Sequence, residues 1–161
     1  WGSMAGRKLP VLNNAPEEPA EEERPPWHWA GFGVVAIFSA WVPLSYIGGA
    51  VSNRLIEGVT PEQMQNASDG ERARMMLMIG LPTLVALAVA SFAGAYIVGR
   101  FGSGPGQRIG MVSGGVVTLI AVALARNIMT PTVLAVSLVI VGLVAVGFGG
   151  LGGRIGEKRR T

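Results

Sequence analysis

The chain has 161 residues, half of them apolar and 24 of them glycine, with 14% charged residues and a formal net charge of +3. Roughly 25% of a soluble domain's residues are charged, so an ordinary water-solvated fold is excluded. Zero cysteines exclude disulfides, thiolate nucleophiles and cysteine-ligated zinc or iron–sulfur centres, and the lack of any basic stripe interleaved with aromatics excludes a phosphate-tracking nucleic-acid surface.

The charge that remains is unevenly spread. Asp, Glu, Lys and Arg are missing from residues 25–53, 75–99, 109–125 and 127–153, stretches of 29, 25, 17 and 27 residues. A hydrocarbon core about 30 Å thick needs about 20 apolar helical residues, within a range of about 17 to 25. The sequence therefore predicts an all-α, polytopic integral membrane protein: a compact bundle of four transmembrane helices over 28–153, behind an N-terminal tail at 1–27 and ahead of a basic tail at 154–161.

In the first 27 residues, Trp1-Gly2-Ser3 ahead of Met4 reads as a cloning remnant or a reading-frame extension, outside the fold. Glu17, Glu18, Glu21, Glu22 and Glu23 stand among Pro10, Pro16, Pro19, Pro25 and Pro26. This composition buries too little apolar surface to offset chain entropy and predicts a disordered, solvated tail. No basic segment leads directly into an apolar run, so no secretory signal is expected.

The first span is predicted over 28–51. Trp27 and Trp29 stand at its start, where amphipathic rings favour the headgroup level, and Pro43 inside it removes a backbone amide and predicts a kink near Val42. In the loop that follows, Thr60-Pro61-Glu62-Gln63 has the form of a capping box with proline at the first helical position. A short helix is therefore expected over 61–67, outside the membrane. A second box, Ser68-Asp69-Gly70-Glu71, opens the helix that carries the second span at 75–99.

Phe101 to Gln107 is rich in glycine and proline and predicts a tight non-helical turn. The third span, 109–125, has 17 residues and rises only about 26 Å. Arg108 and Arg126 at its two ends, with Arg100 and Arg154 at the ends of its neighbours, are expected to snorkel outward as interface anchors beside Trp27 and Trp29. Thr130-Pro131 starts the fourth span, 131–153.

With four spans, both termini and the turn near residue 104 share one side of the membrane. That side holds Arg7, Lys8, Arg24, Arg100, Arg108, Arg154, Lys158, Arg159 and Arg160, nine in all, against four at Arg54, Arg72, Arg74 and Arg126. Lys and Arg near the membrane favour the inner face, so both termini are expected in the cytoplasm. Eleven arginines against two lysines, with abundant alanine, glycine and valine, fit a GC-rich bacterial genome and thus a bacterial cytoplasmic membrane.

Lipid tails are as apolar as leucine, so membrane helices associate through close backbone approach at small residues spaced by four. The second span offers Ala86, Ala90 and Gly94 beside Ser91, Ala95 and Gly99; the third offers Gly110 and Gly114; the fourth offers Ala145, Gly149 and Gly153, with Gly152 and Gly156 as a second ridge. Ala36 and Ala40 are the corresponding pair in the first. The second to fourth spans are expected to pack most tightly at their cytoplasmic ends, and the same small surface is available for homo-oligomerisation or a membrane-protein partner.

Catalytic chemistry finds little support. Gly147-Phe-Gly149-Gly-Leu-Gly152 has the spacing of a dinucleotide-binding loop, but it lies inside an apolar span with no strand before it and no acidic residue about twenty positions on. Ser113 has no base, since the single histidine is His28 at the first span's mouth, and is expected to bond its own helix backbone. His28 has no second ligand residue, so no metal and no cofactor is expected. Ion-coupled transport places ionisable groups inside the membrane, at about 2.5 to 3.5 kcal/mol each by insertion scales, and none lies within these spans.

The order of features from Met78 to Lys158 matches a known texture: a span closing Gly94-Ala-Tyr-Ile-Val-Gly-Arg100, Gly110 with Gly114-Gly115, and a last span closing Gly149-Gly-Leu-Gly-Gly-Arg-Ile-Gly156. It resembles the small four-pass, glycine-rich membrane proteins of bacteria. That resemblance covers about half the chain and implies no catalytic residues. The expectation is a non-enzymatic structural or accessory membrane protein, the alternative an oligomeric pore for small solutes without ion coupling.

Overall fold

The computed structural model describes residues 26–127 and 130–160; the acidic tail expected over 1–27 falls almost wholly outside them. The fold is all-helical: α1 spans Pro26–Leu55, α2 Pro61–Asn66, α3 Asp69–Phe101, α4 Gly106–Ala125 and α5 Pro131–Lys158. The four long helices are each long and apolar enough to cross a membrane, and they pack together as a polytopic membrane bundle.

Helix starts follow local chemistry. Thr60 Oγ1 accepts from the Gln63 amide at 3.2 Å while Gln63 Oε1 accepts from the Thr60 amide at 3.0 Å, closing the box on α2. Ser68 and Glu71 repeat it on α3, with the Ser68 amide donating to Glu71 Oε2 at 2.9 Å. Glu71 stands a turn outside the apolar stretch, and the Ser68 amide, then its hydroxyl, hold its carboxyl below the usual carboxylate range. Arg72 donates to the Gln65 carbonyl at 3.1 Å and ties α2 onto the start of α3.

The helices overrun the apolar stretches. α3 begins at Asp69, six residues before Met75, and α5 continues through Arg154 to Lys158, so most of the expected basic tail is the last turn of a helix. Arg and Lys are good helix formers, and Lys158 in the final turn opposes the C-terminal dipole. Phe101 belongs to α3, while Gly106 and Gln107 already belong to α4. The turn thus shrinks to residues 102–105, because glycine at a helix start costs less than in mid-helix. α2 ends at Asn66, with Ala67 extended behind it as the cap. α1 runs through Pro43 as one helix.

Viewed along the membrane normal the order around the bundle is α1, α3, α5, α4, with α3 and α4 also touching across the diagonal. Ile37, Leu87, Ala90, Val117 and Ala145 form the central apolar core. Most of the burial lies in one half. Toward the end that carries α1's start, the α3–α4 turn and α5's close, residues from Ala86 to Gly99, Gly106 to Thr118 and Ala145 to Gly156 repeatedly reach the interior. Toward the opposite end the helices splay, except for an α1–α3 contact at Gly48 and Ser52: Val42, Ile47, Leu81, Leu124, Val136 and Leu143 are all exposed. The cause is side-chain size, since small residues line the closed half and large aliphatics the open one.

Candidate functional site

The closed half is built on an antiparallel glycine seam between α4 and α5. Gly106, Gly110 and Gly114 of α4 face Gly153, Gly149 and Ala145 of α5, four residues up one helix matching four down the other. A Cβ on Gly110 would strike the Gly149 carbonyl, one on Gly114 the Ala145 carbonyl, and one on Gly149 would lie 2.6 Å from the Gly110 oxygen. At these glycines backbone rests on backbone, with Met111, Val146 and Thr118 side chains flanking the seam. Gly99 of α3 joins at the end: the Gly153 carbonyl faces both Gly99 and Gly106, whose own Cβ would stand 2.9 Å from the Gly99 Cα.

The second α5 ridge runs parallel to α3. Gly152 lies against the Phe92 carbonyl and Gly156 against the Tyr96 carbonyl, again in steps of four. The two small ridges of α3 serve different partners. Ala90 and Gly94 take Ile37 of α1, where a Cβ on Gly94 would be 2.8 Å from the Ile37 amide nitrogen, whereas Ala95 points toward Gly110. On α1 the close contacts come from Gly33, Ile37 and Gly48. Ala36 and Ala40 are only half-buried, because a large Ile37 seated in the notch at Gly94 turns that pair to the edge of the core.

Buried hydroxyls stitch these backbones. Ser113 Oγ donates toward the Ile109 carbonyl at 2.9 Å and the Ala30 carbonyl at 3.0 Å, so it bonds its own helix as the sequence suggests and also bridges α4 to α1. Gly33 leaves the room for it. Thr118 Oγ1 donates to Gly114 at 2.9 Å. At the open end Ser52 Oγ is placed between the Gly48 and Ile79 carbonyls, at 3.0 and 2.8 Å. Ile79 lies one turn before Pro82, where proline disturbs the helix's own bonding. Ser91 is fully buried at the bundle centre and its hydroxyl has no partner among the described residues; Trp41 Nε1 is likewise unpartnered.

A polar clasp closes the seam's end. Arg160 donates to the Gly99 carbonyl from Nη2 at 2.6 Å and to the Gly104 carbonyl at 3.0 Å, meeting the carbonyls that end α3. Glu157 Oε2 accepts from the Gln107 amide at 3.4 Å, a carboxylate on the start of α4. Trp29 Nε1 donates to Ser103 Oγ at 3.0 Å, and its ring covers Gly102. Of the other anchor residues, Trp27, Arg100, Arg108, Arg126 and Arg154 are all exposed. His28 is exposed and stacks on Trp27 at 3.8 Å, and no group of three His, Cys, Asp or Glu side chains gathers among the described residues.

Sequence reasoning missed Gly106, Gly33, Gly48, Ser52, Glu157 and Arg160. Gly106 continues the spacing of Gly110 and Gly114 but was hidden inside a segment read as turn, and Gly48 with Ser52 is itself a small pair four apart. Nothing local marks Glu157 or Arg160, whose partners lie about fifty and sixty residues away in sequence.

No known protein family, curated protein or solved structure matches this chain.

Proposed function

We propose that this chain is a non-enzymatic, structural or accessory protein of the bacterial cytoplasmic membrane, with both termini in the cytoplasm. In this reading the closed half is a rigid clamp and the splayed half presents apolar helix faces to a membrane partner. One observation carries it: backbone-on-backbone packing from Gly106 to Gly114 closes the half of the bundle at the termini, while large aliphatics stay exposed at the other end. A closed core without ionisable groups supports holding rather than moving solutes. The nine-to-four division of Lys and Arg supports the orientation, and the resemblance to glycine-rich four-pass proteins agrees with it.

The test is reconstitution of the purified protein in liposomes, with solute flux measured beside its oligomeric mass in detergent. The expected result is no flux above protein-free vesicles. Flux of small neutral solutes from a defined oligomer would overturn the reading in favour of a pore.

A further inference from the structure

We propose that the outer surface of the α3–α5 ridge at the clasp end binds the phosphodiester headgroup of an anionic phospholipid, held by Arg100 and Arg159 beside Tyr96.

Arg100 Nη1 donates to Tyr96 Oη at 3.3 Å, and exposed Arg159, at the end of α5, follows by three residues the Gly156 that rests on the Tyr96 carbonyl and the Arg100 amide. Packing along the α3–α5 ridge forces this meeting, because Gly156 seated on the Tyr96 carbonyl brings the next turn of α5 alongside Tyr96 and Arg100. The Arg100 guanidinium is further pinned 5.7 Å above the Phe101 ring. Each guanidinium carries five donors and no acceptor, and one hydroxyl satisfies very few of them. Two exposed like charges brought to one place by the helix packing call for an anion.

The described chain does not supply it. Glu157 is the only carboxylate after Glu71, and it is committed to the start of α4. Arg160 is spent on the Gly99 and Gly104 carbonyls, and of the exposed cations at this end Arg100 and Arg159 are the two beside Tyr96. Planar, forked guanidiniums match phosphate oxygens two at a time.

An apolar floor below the two arginines selects a lipid over a free anion. Phe92 stacks beneath Tyr96 at 6.5 Å, and Ile155 and Leu151, one and two turns below Arg159 on α5, are exposed apolar residues. A cationic head above an apolar face within a membrane helix pair fits a headgroup with its acyl chains. The acidic segment Glu17 to Glu23 is charge-complementary but, interleaved with proline and alanine, brings no large apolar side chain to lay on that floor.

The test is native mass spectrometry of the full chain in detergent, titrated with phosphatidylglycerol, phosphatidylcholine or inorganic phosphate. Retained phosphatidylglycerol, with little phosphatidylcholine or free phosphate, is expected. At about fivefold per neutralised basic residue, the R100Q/R159Q double variant should lose roughly thirtyfold of the preference, while R126Q at the opposite end keeps it. Tyr96→Phe keeps the packing and should weaken the preference without abolishing it, which guards against misfolding of the double variant. Equal retention of both lipids, binding of phosphate as tight as of lipid, or an undiminished preference in the double variant would overturn the proposal. So would strong lipid binding that emerges only when Glu17, Glu18, Glu21, Glu22 and Glu23 are changed to Gln, since the tail would then be the occupant.

Discussion

Gly110 of α4 and Gly149 of α5 lie so close that a Cβ on either would collide with the carbonyl oxygen of the other. Neither carbonyl can rotate away, because each is held in its own helix. Gly149→Ala should therefore lower stability in detergent by about 1–2 kcal/mol, overpacking of about 1–3 kcal/mol outweighing the better helix propensity of alanine. Gly147, two residues earlier, has open space where its Cβ would stand, so Gly147→Ala should leave the thermal midpoint unchanged or slightly raised. Equal effects of the two substitutions would remove the seam from the account.

Ser113 and Ser91 are both fully buried, yet only Ser113 has partners. Ser113→Ala removes the bridge from α4 to α1 and should cost about 0.6 kcal/mol, at most about 1.7, the range for interhelical hydrogen bonds in membranes. Ser91→Ala removes an unpartnered hydroxyl and should be neutral or stabilising. Denaturant titrations of both variants read the contrast directly, and a larger loss at Ser91 would mean its hydroxyl is bonded in the membrane.

Arg160 meets the α3 terminus and the turn with one guanidinium. Arg160→Gln should weaken that end by about 0.3–1 kcal/mol, the scale of a cation at a helix C-terminus. The loss should register as faster amide hydrogen exchange across residues 98–104, with residues near Ile79 unaffected. Uniform acceleration along α3 would contradict a local clasp.

Charge-free stretches and four-residue ridges were legible in the sequence because both are local: a bilayer sets the first and one helix face shows the second. Gly110, Gly114, Ala145, Gly149 and Gly153 could be read that way. Which ridge meets which was not legible. Gly94 takes Ile37 while Gly99 meets Gly153, a division set by the order of helices around the bundle. Ala36 and Ala40 show the cost of reading small residues alone, since a large residue in a glycine notch packs as closely as two alanines do. The clasp escaped notice for a related reason: Glu157 and Arg160 read as a soluble tail, and only the folded register places them on helix ends.

The central claim is that the closed half is solute-tight, and the lack of cysteine gives it a direct measurement. Ser91→Cys places one thiol at the bundle centre with little change in volume, and Ser103→Cys in the exposed turn is the matched control. In inside-out membrane vesicles, whose cytoplasmic face is outward, a charged, water-soluble maleimide should label Cys at position 103 rapidly and leave position 91 unmodified until detergent denaturation exposes it. Rapid labelling at position 91 in the folded protein would reveal an aqueous path through the seam and contradict the account.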